Sequence, residues 1–247
     1  LGTTNKGGTV TESKTEATTS TVTNKDGSTT ETKQETTTTS DGVKSEGTTV
    51  TQIQKDGTVT SKETVKASDS TGTTATKTTT LDAKGNVTPA AEAVVSAKAV
   101  TEATKTGEAV TLPVEVPAVK TTGDAPAVDV TVPQSAGSVK VEIPVEQVTP
   151  GTVAVIVKAD GTEEVVSTSK LSENGVLVDL DGSATVKIVD NAKAFVDIHP
   201  VNHWAEDAVD FASARGITGG TSDTTFSPNN TCTRGQIVTF LWRAFGE

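Results

Sequence analysis

The 247-residue chain has no tyrosine and no methionine, a single cysteine, and aromatic side chains at only 3% of its positions. With hydrophobic residues at 33%, that composition excludes one large conventional core. The lone Cys232 excludes an intrachain disulfide and a cysteine-based metal cluster. No apolar run approaches the roughly 20 residues that a membrane-spanning helix needs, so membrane insertion is not expected. The first residue is Leu1, with neither Met nor a signal-peptide pattern, which reads as a fragment or a processed chain. The formal net charge is −11 and no dense Lys/Arg block occurs, which argues against nucleic acid and against an anionic membrane surface. A glycan, neutral or acidic and met by local arginines, stays open. No histidine precedes His199, and there is no Ser/His/Asp set, phosphate-binding loop or plausible carboxylate dyad, so neither an enzyme nor a bound cofactor is expected.

What is present is unevenly spread. Phe195, Trp204, Phe211, Phe226, Phe240, Trp242 and Phe245 all follow position 194, as do Arg215, Arg234 and Arg243, whereas every lysine lies at or before Lys193. So complete a change of usage marks a domain boundary near Lys193. The expected organisation is a Thr-rich hairpin stalk over 1–88, a short helix and linker over 89–107, an antiparallel β-sandwich over 108–193 and a two-helix module over 194–247. The fold class is therefore mainly β with a small α-helical C-terminal module.

In the first segment about a third of the residues are Thr, and Gly27, Gly42, Gly57 and Gly72 recur fifteen residues apart. Asn24-Lys25-Asp26-Gly27, Ser40-Asp41-Gly42 and Lys55-Asp56-Gly57 read as tight primed hairpin turns, with Asn5-Lys6-Gly7-Gly8 before them. A meander of strands ten to twelve residues long follows, with faces too polar to bury much; the competing reading is a disordered Thr-rich linker. Next, Ser96 to Lys105 ending at Gly107 suits a helix with a Ser N-cap and a Gly C-terminal stop. Alternating runs at Val110–Val116, Val128–Val132, Ser138–Val145, Thr152–Lys158, Glu163–Ser167, Gly175–Leu180 and Ala184–Val189 give the sandwich. Asp179-Leu180-Asp181-Gly182 lacks the further oxygen ligands of a calcium loop and reads as a turn. Glu163 and Glu164, adjacent on a strand, face opposite ways and cannot share a substrate.

The C-terminal segment carries an ordered set: Phe195, Asp197 and Ile198; His203-Trp204-Ala205; Ala208-Val209; Gly216-Ile217-Thr218-Gly219-Gly220; Thr225-Phe226-Ser227-Pro228; Thr233-Arg234-Gly235-Gln236; Leu241-Trp242-Arg243-Ala244. Trp204, Ala208, Phe211 and Ala212 make one apolar stripe on a first helix, and Ile237, Phe240, Leu241 and Ala244 make one on a second. Thr233 with Gln236 makes a capping box. Val238, Trp242 and Phe245 form a further stripe that a unit this small cannot also bury. His199 and His203 are the only histidines and Cys232 is remote, so no metal site is expected.

This set resembles the S-layer homology (SLH) repeat over its whole length. The sandwich stretch, with Val141-Glu142-Ile143-Pro144-Val145 and Thr185 to Asn191, resembles a region that precedes wall-binding repeats in surface proteins of Gram-positive gut anaerobes. The resemblance implies an extracellular protein at the cell wall or S-layer surface, structural or adhesive, held non-covalently on an acidic wall polysaccharide such as a pyruvylated one. It implies that Arg234 pairs with the acidic group, next to Thr233, and that Asp197 and Gly220 line the groove. Trp204 either stacks on sugar or packs in a core. Gln236 and Gly235 depart from the Glu and Ala usual in the motif, which weakens any role for that acid. The family packs three repeats with the polysaccharide between them, so further repeats are implied, in cis or in trans. Two alternatives remain: the anchor of a surface enzyme whose catalytic domain lies elsewhere, or an adhesin that binds host ligands through the hairpin array.

Overall fold

The structure, a computed structural model, describes residues 3–4, 10–40, 42–134, 136–201 and 203–246, with side chains from residue 12 onward. Turn residues 5–8 and Asp41 lie outside the described residues. The elements run in the order β1 (Thr3–Thr4), β2 (Val10–Thr11), β3 (Ser13–Thr23), β4 (Thr29–Thr39), β5 (Lys44–Ile53), β6 (Val59–Lys66), β7 (Thr74–Leu81), β8 (Val87–Val94), α1 (Ala97–Thr106), β9 (Val110–Thr111), β10 (Val128–Thr131), β11 (Val139–Pro144), β12 (Thr152–Val157), β13 (Glu163–Val165), β14 (Lys170–Leu171), β15 (Gly175–Leu180), β16 (Ala184–Asp190), a 3₁₀ turn (His199–Val201), α2 (Glu206–Ala214) and α3 (Arg234–Ala244). The chain is mainly β.

Strands β3 to β8 pair antiparallel with their chain neighbours, and four of the turns between them share one backbone hydrogen-bond pattern, the loop from Ala67 to Thr73 being longer, with Ser70 at positive φ. In the first, the Gly27 N–H donates to the Asn24 carbonyl at 3.0 Å and the Asn24 N–H to that of Ser28 at 2.8 Å. Only the glycine has a positive φ, +84°, and Asp26 does not. These turns are therefore three-residue loops ending in a left-handed glycine, not the two-residue primed turns that Asp-Gly alone suggests. An aspartate side chain fixes the loops at residues 24–28, 54–58 and 82–86, and that at 158–162 likewise. The Asp26 Oδ1 accepts from the Ser28 N–H and hydroxyl, Asp56 from the Thr58 N–H, Asp82 from the N–H groups of Lys84 and Asn86, and Asp160 from that of Thr162. Hydrogen bonds favour the ionised form and hold all four carboxyls below their ordinary range, the leading cause being the Ser28 hydroxyl at Asp26, the Thr58 N–H at Asp56, the Asn86 side chain at Asp82 and the Thr162 hydroxyl at Asp160.

The boundary expected between residues 88 and 89 falls inside β8. Strand β8 pairs in parallel with β10, Ala91 opposite Val128 and Ala93 opposite Val130, so the hairpin array continues a sheet of the next segment. The result is one ten-stranded sheet, in the order β13-β12-β16-β10-β8-β7-β6-β5-β4-β3, beside a four-stranded sheet, β14-β15-β11-β9. Both contribute to one apolar core: Ala93, Val128, Val130, Val186 and Ile188 from the first, Val141, Ile143, Val176, Val178 and Leu180 from the second. Each buried Val, Leu or Ile contributes about 1.5–3 kcal/mol, so stability concentrates here. Towards β3 the burial fades to nothing, and the outer strands rest on cross-strand pairs such as Thr64 with Thr76 and Lys66 with Glu46. Helix α1 has the expected Ser96 cap and Gly107 stop. The run expected as a strand over Val110–Val116 shortens to β9 plus a bridge from Val116 to Val145, because Pro113 and Pro117 have no N–H to donate to a ladder.

Candidate wall-binding module

The module begins from a junction. Strand β12 is buried on both faces, because Ala154 points to the core while Val153 and Val155 pack with Val189 and with Ala214 of α2. Arg215, 3% exposed, closes this contact. Its Nε donates to the Ser169 carbonyl at 2.9 Å and an Nη to that of Thr152 at 3.0 Å, and its guanidinium carbon sits 3.7 Å from the centre of the Phe211 ring. No carboxylate pairs with it among the described residues, and burial pulls its pKa down to about 10. The module is bolted to the β-sheets by a cation that sequence alone did not single out.

Inside the module a small core gathers Phe195, Ile198 and Val209, with Ala205 and Phe226 against it. Gly220 has a φ of +80°, and a Cβ there would lie 2.6 Å from the Phe195 ring and 2.7 Å from the Thr225 carbonyl oxygen. Asp197 accepts from the Phe226 N–H at 2.9 Å and the Ser227 N–H at 2.7 Å, which holds its carboxyl below its ordinary range. Asp197 and Gly220 thus meet at the same strip, residues 225–227, and act from inside: one ties the loop, the other leaves room for Phe195.

Helix placement departs from the apolar pattern. The buried residues of α2 are Val209, Ser213 and Ala214, not the stripe of Trp204, Ala208, Phe211 and Ala212. Trp204 is 91% exposed, which removes the core reading for it. Helix α3 has no buried residue at all: Ile237, Leu241, Val238, Trp242 and Phe245 are exposed, and Phe240 is only half-buried. A hydrophobic stripe shows that a helix can pack and says nothing of whether a partner is present, which is why the expected packing of its first stripe fails. The capping box is present as expected, the Thr233 Oγ accepting from the Gln236 N–H at 3.2 Å and the Thr233 N–H donating to the Gln236 side chain at 2.8 Å. Arg234, in the first turn of α3, is exposed and makes no hydrogen bond or ion pair among the described residues. No such bond joins it to Trp204, Asp197 or Gly220 either.

The two histidines do not come together. The His203 Nδ1 accepts from the Ala205 N–H at 3.2 Å. His199 instead has its Nδ1 3.1 Å from the Phe195 carbonyl oxygen and its Nε2 2.9 Å from Asp210. Desolvation opposes its charge, but the Phe195 carbonyl and the Asp210 carboxylate outweigh it, and its pKa lies above the ordinary imidazole value. Sequence reading missed this group; the available signal was two acids four apart, Glu206 and Asp210, on the helix that follows His199. Glu163 and Glu164 pair separately, with Lys187 and Lys158.

The sequence pattern of the S-layer homology domain matches residues 194–238. No curated protein and no solved structure matches the chain. The matched span covers the junction, the small core, the Asp197 tie and the start of α3. A domain of this kind places the chain in association with the cell wall. No described helix is long and apolar enough to cross a membrane.

Proposed function

We propose, from the S-layer homology domain that this chain carries, that residues 194–247 hold it non-covalently on an acidic secondary cell-wall polysaccharide, and that the strands before them form a non-catalytic surface stalk. The observation that carries this reading is Arg234: a guanidinium in the first turn of a capped helix, exposed and with no partner among the described residues. A planar fork of donors beside the positive end of a helix suits a carboxylate such as that of a pyruvate ketal. Trp204, almost wholly exposed, is the stacking surface for a sugar ring, a role that an aromatic face performs through its apolar body. Thr233 fixes the helix end from which Arg234 projects, and Asp197 and Gly220 shape the loop at residues 225–227.

The bare apolar surface of α3 supports the second half of the reading. Val238, Trp242 and Phe245, between 60% and 84% exposed, make a face that further S-layer homology repeats cover, in cis or in trans. Binding by one module alone is then weak, and joined modules gain through effective concentration.

The test is co-sedimentation of the full chain with purified wall polysaccharide. Arg234→Ala and Trp204→Ala are expected to lower binding while circular dichroism is unchanged, and raised salt to weaken the Arg234 contribution, since an exposed ion pair is screened. Arg234→Ala binding as well as the parent chain would remove that residue from the site.

A further inference from the structure

The cluster of His199, Glu206 and Asp210 has chemistry that polysaccharide binding does not use. One ligand atom from each lies within 4.8 Å of the other two, and all three residues are half-buried. They come from two elements that the chain places side by side: His199 opens the 3₁₀ turn, and Glu206 and Asp210 stand four apart on α2, hence on one face. The Phe195 carbonyl can only accept, so the Nδ1 at 3.1 Å must carry hydrogen. In the neutral ring that leaves the Nε2 lone pair aimed at the Asp210 carboxylate, 2.9 Å away, with Glu206 beside it. In the metal-free chain a proton on Nε2 bridges that 2.9 Å pair, and a cation that takes its place meets one lone pair and two carboxylates. A carbonyl that fixes the Nδ1–H and turns the Nε2 lone pair inward is the arrangement found behind metal-bound histidines.

From this convergence we infer that His199, Glu206 and Asp210 form a site for a divalent first-row cation, zinc being the ion best suited to one imidazole and two carboxylates. Zinc takes His nitrogen and carboxylate oxygen at about 2.0–2.2 Å, and three protein ligands leave a fourth position for water. Ligand atoms around such an ion lie about 3.3–3.5 Å apart, so the His199–Asp210 pair, now 2.9 Å apart, opens by about 0.5 Å to admit it while the Glu206 carboxylate, within 4.8 Å, moves in. His203 is no part of it, because its Nδ1 is committed to the Ala205 N–H. The bound ion clamps the 3₁₀ turn to α2. It thereby stiffens the wall-binding module without touching its ligand.

The experiment uses the full chain carrying Cys232→Ser, so that the exposed thiol does not compete, titrated calorimetrically with zinc chloride at pH 7.5 in a non-chelating buffer. One bound zinc per chain is expected, with affinity lowered at least about tenfold by His199→Gln and by Asp210→Asn and unchanged by His203→Gln. Thermal unfolding gives a second readout: zinc should raise the midpoint of the parent chain and of His203→Gln, and not that of His199→Gln. Should a variant fail to fold, cobalt replaces zinc in the parent chain, and a visible spectrum typical of four-coordinate N/O ligation is expected. Absence of binding, binding that survives His199→Gln, or binding lost with His203→Gln would each overturn the site. So would a midpoint that follows pH but ignores zinc, since a proton on Nε2 would then be its sole occupant.

Discussion

Replacing Gly220 with alanine tests the geometry of the module's core. Two costs add at this position. A φ of +80° is strained for any residue with a Cβ, at about 1–2 kcal/mol. The new methyl would also lie 2.6 Å from the Phe195 ring and 2.7 Å from the Thr225 carbonyl, so a fully buried aromatic or a backbone must shift. Such overpacking costs about 1–3 kcal/mol. The sum, about 2–5 kcal/mol, is a large share of the stability of so small a core. Gly216 supplies the control: its φ is also positive, at +69°, but nothing lies within 4 Å of the Cβ it would gain. Gly216→Ala should therefore pay only the backbone cost. Amide exchange at Ile198 and Val209, both buried in this core, reads the local opening energy of each variant. Protection there should fall about thirtyfold or more in Gly220→Ala, and by clearly less in Gly216→Ala. Equal losses in the two variants would refute the claim that close approach to Phe195, rather than backbone freedom, is what requires glycine at 220.

The other expectations can be checked with ordinary variants. Because Asp26, Asp56, Asp82 and Asp160 titrate below their ordinary range in the folded chain, the stability they contribute is present above the unfolded carboxyl pKa and is lost as pH falls through the folded values. Protection of the Ser28 and Thr58 amides, measured against the intrinsic exchange rate at each pH, should then fall as the pH is lowered, and Asp56→Ala should lower protection at Thr58 already at neutral pH. Arg215→Ala strips the Ser169 and Thr152 carbonyls of a buried donor, and each loss of this kind costs about 1–3 kcal/mol. Limited proteolysis between residues 190 and 216 should become faster, and an unchanged rate would deny Arg215 its part in the junction. Gln236→Ala removes one half of the capping box and should lower helix content at α3 by an amount matching about 1 kcal/mol, read by circular dichroism.

The sequence and the structure agree where the signal is local. Glycines fifteen residues apart mark the hairpins because a left-handed residue is needed at each loop end, and Ser96 and Thr233 mark helix starts because a side-chain oxygen there meets an unpaired N–H. Turn type was less legible, since Asp-Gly fits both a primed turn and a longer loop closed by glycine, and only the hydrogen-bond pattern separates them. Long-range pairing left no local mark: nothing in Ala91 or Val128 announces that β8 lies parallel to β10 and fuses the array with the core sheet. The first apolar stripes of α2 and α3 predict packing that the structure does not show, whereas the second α3 stripe, expected to exceed what so small a unit can bury, is indeed exposed. Trp204 lies outside, whereas Val209 packs on Phe195 and Ile198 and Ala214 on β12, because these two contacts decide which face of α2 is covered. Motif positions singled out Asp197 and Gly220, but not that Asp197 ties the backbone of Phe226 and Ser227 or that Gly220 makes room for the Phe195 ring.

The central claim is that this chain is held on an acidic wall glycan, and titrating the full chain with purified polysaccharide before and after its acidic substituents are removed tests it most directly. Binding to the intact polymer, lost or weakened at least tenfold once the acidic groups are gone, is the result expected if Arg234 meets a carboxylate. Equal affinity for both polymers, or none for either, would contradict it.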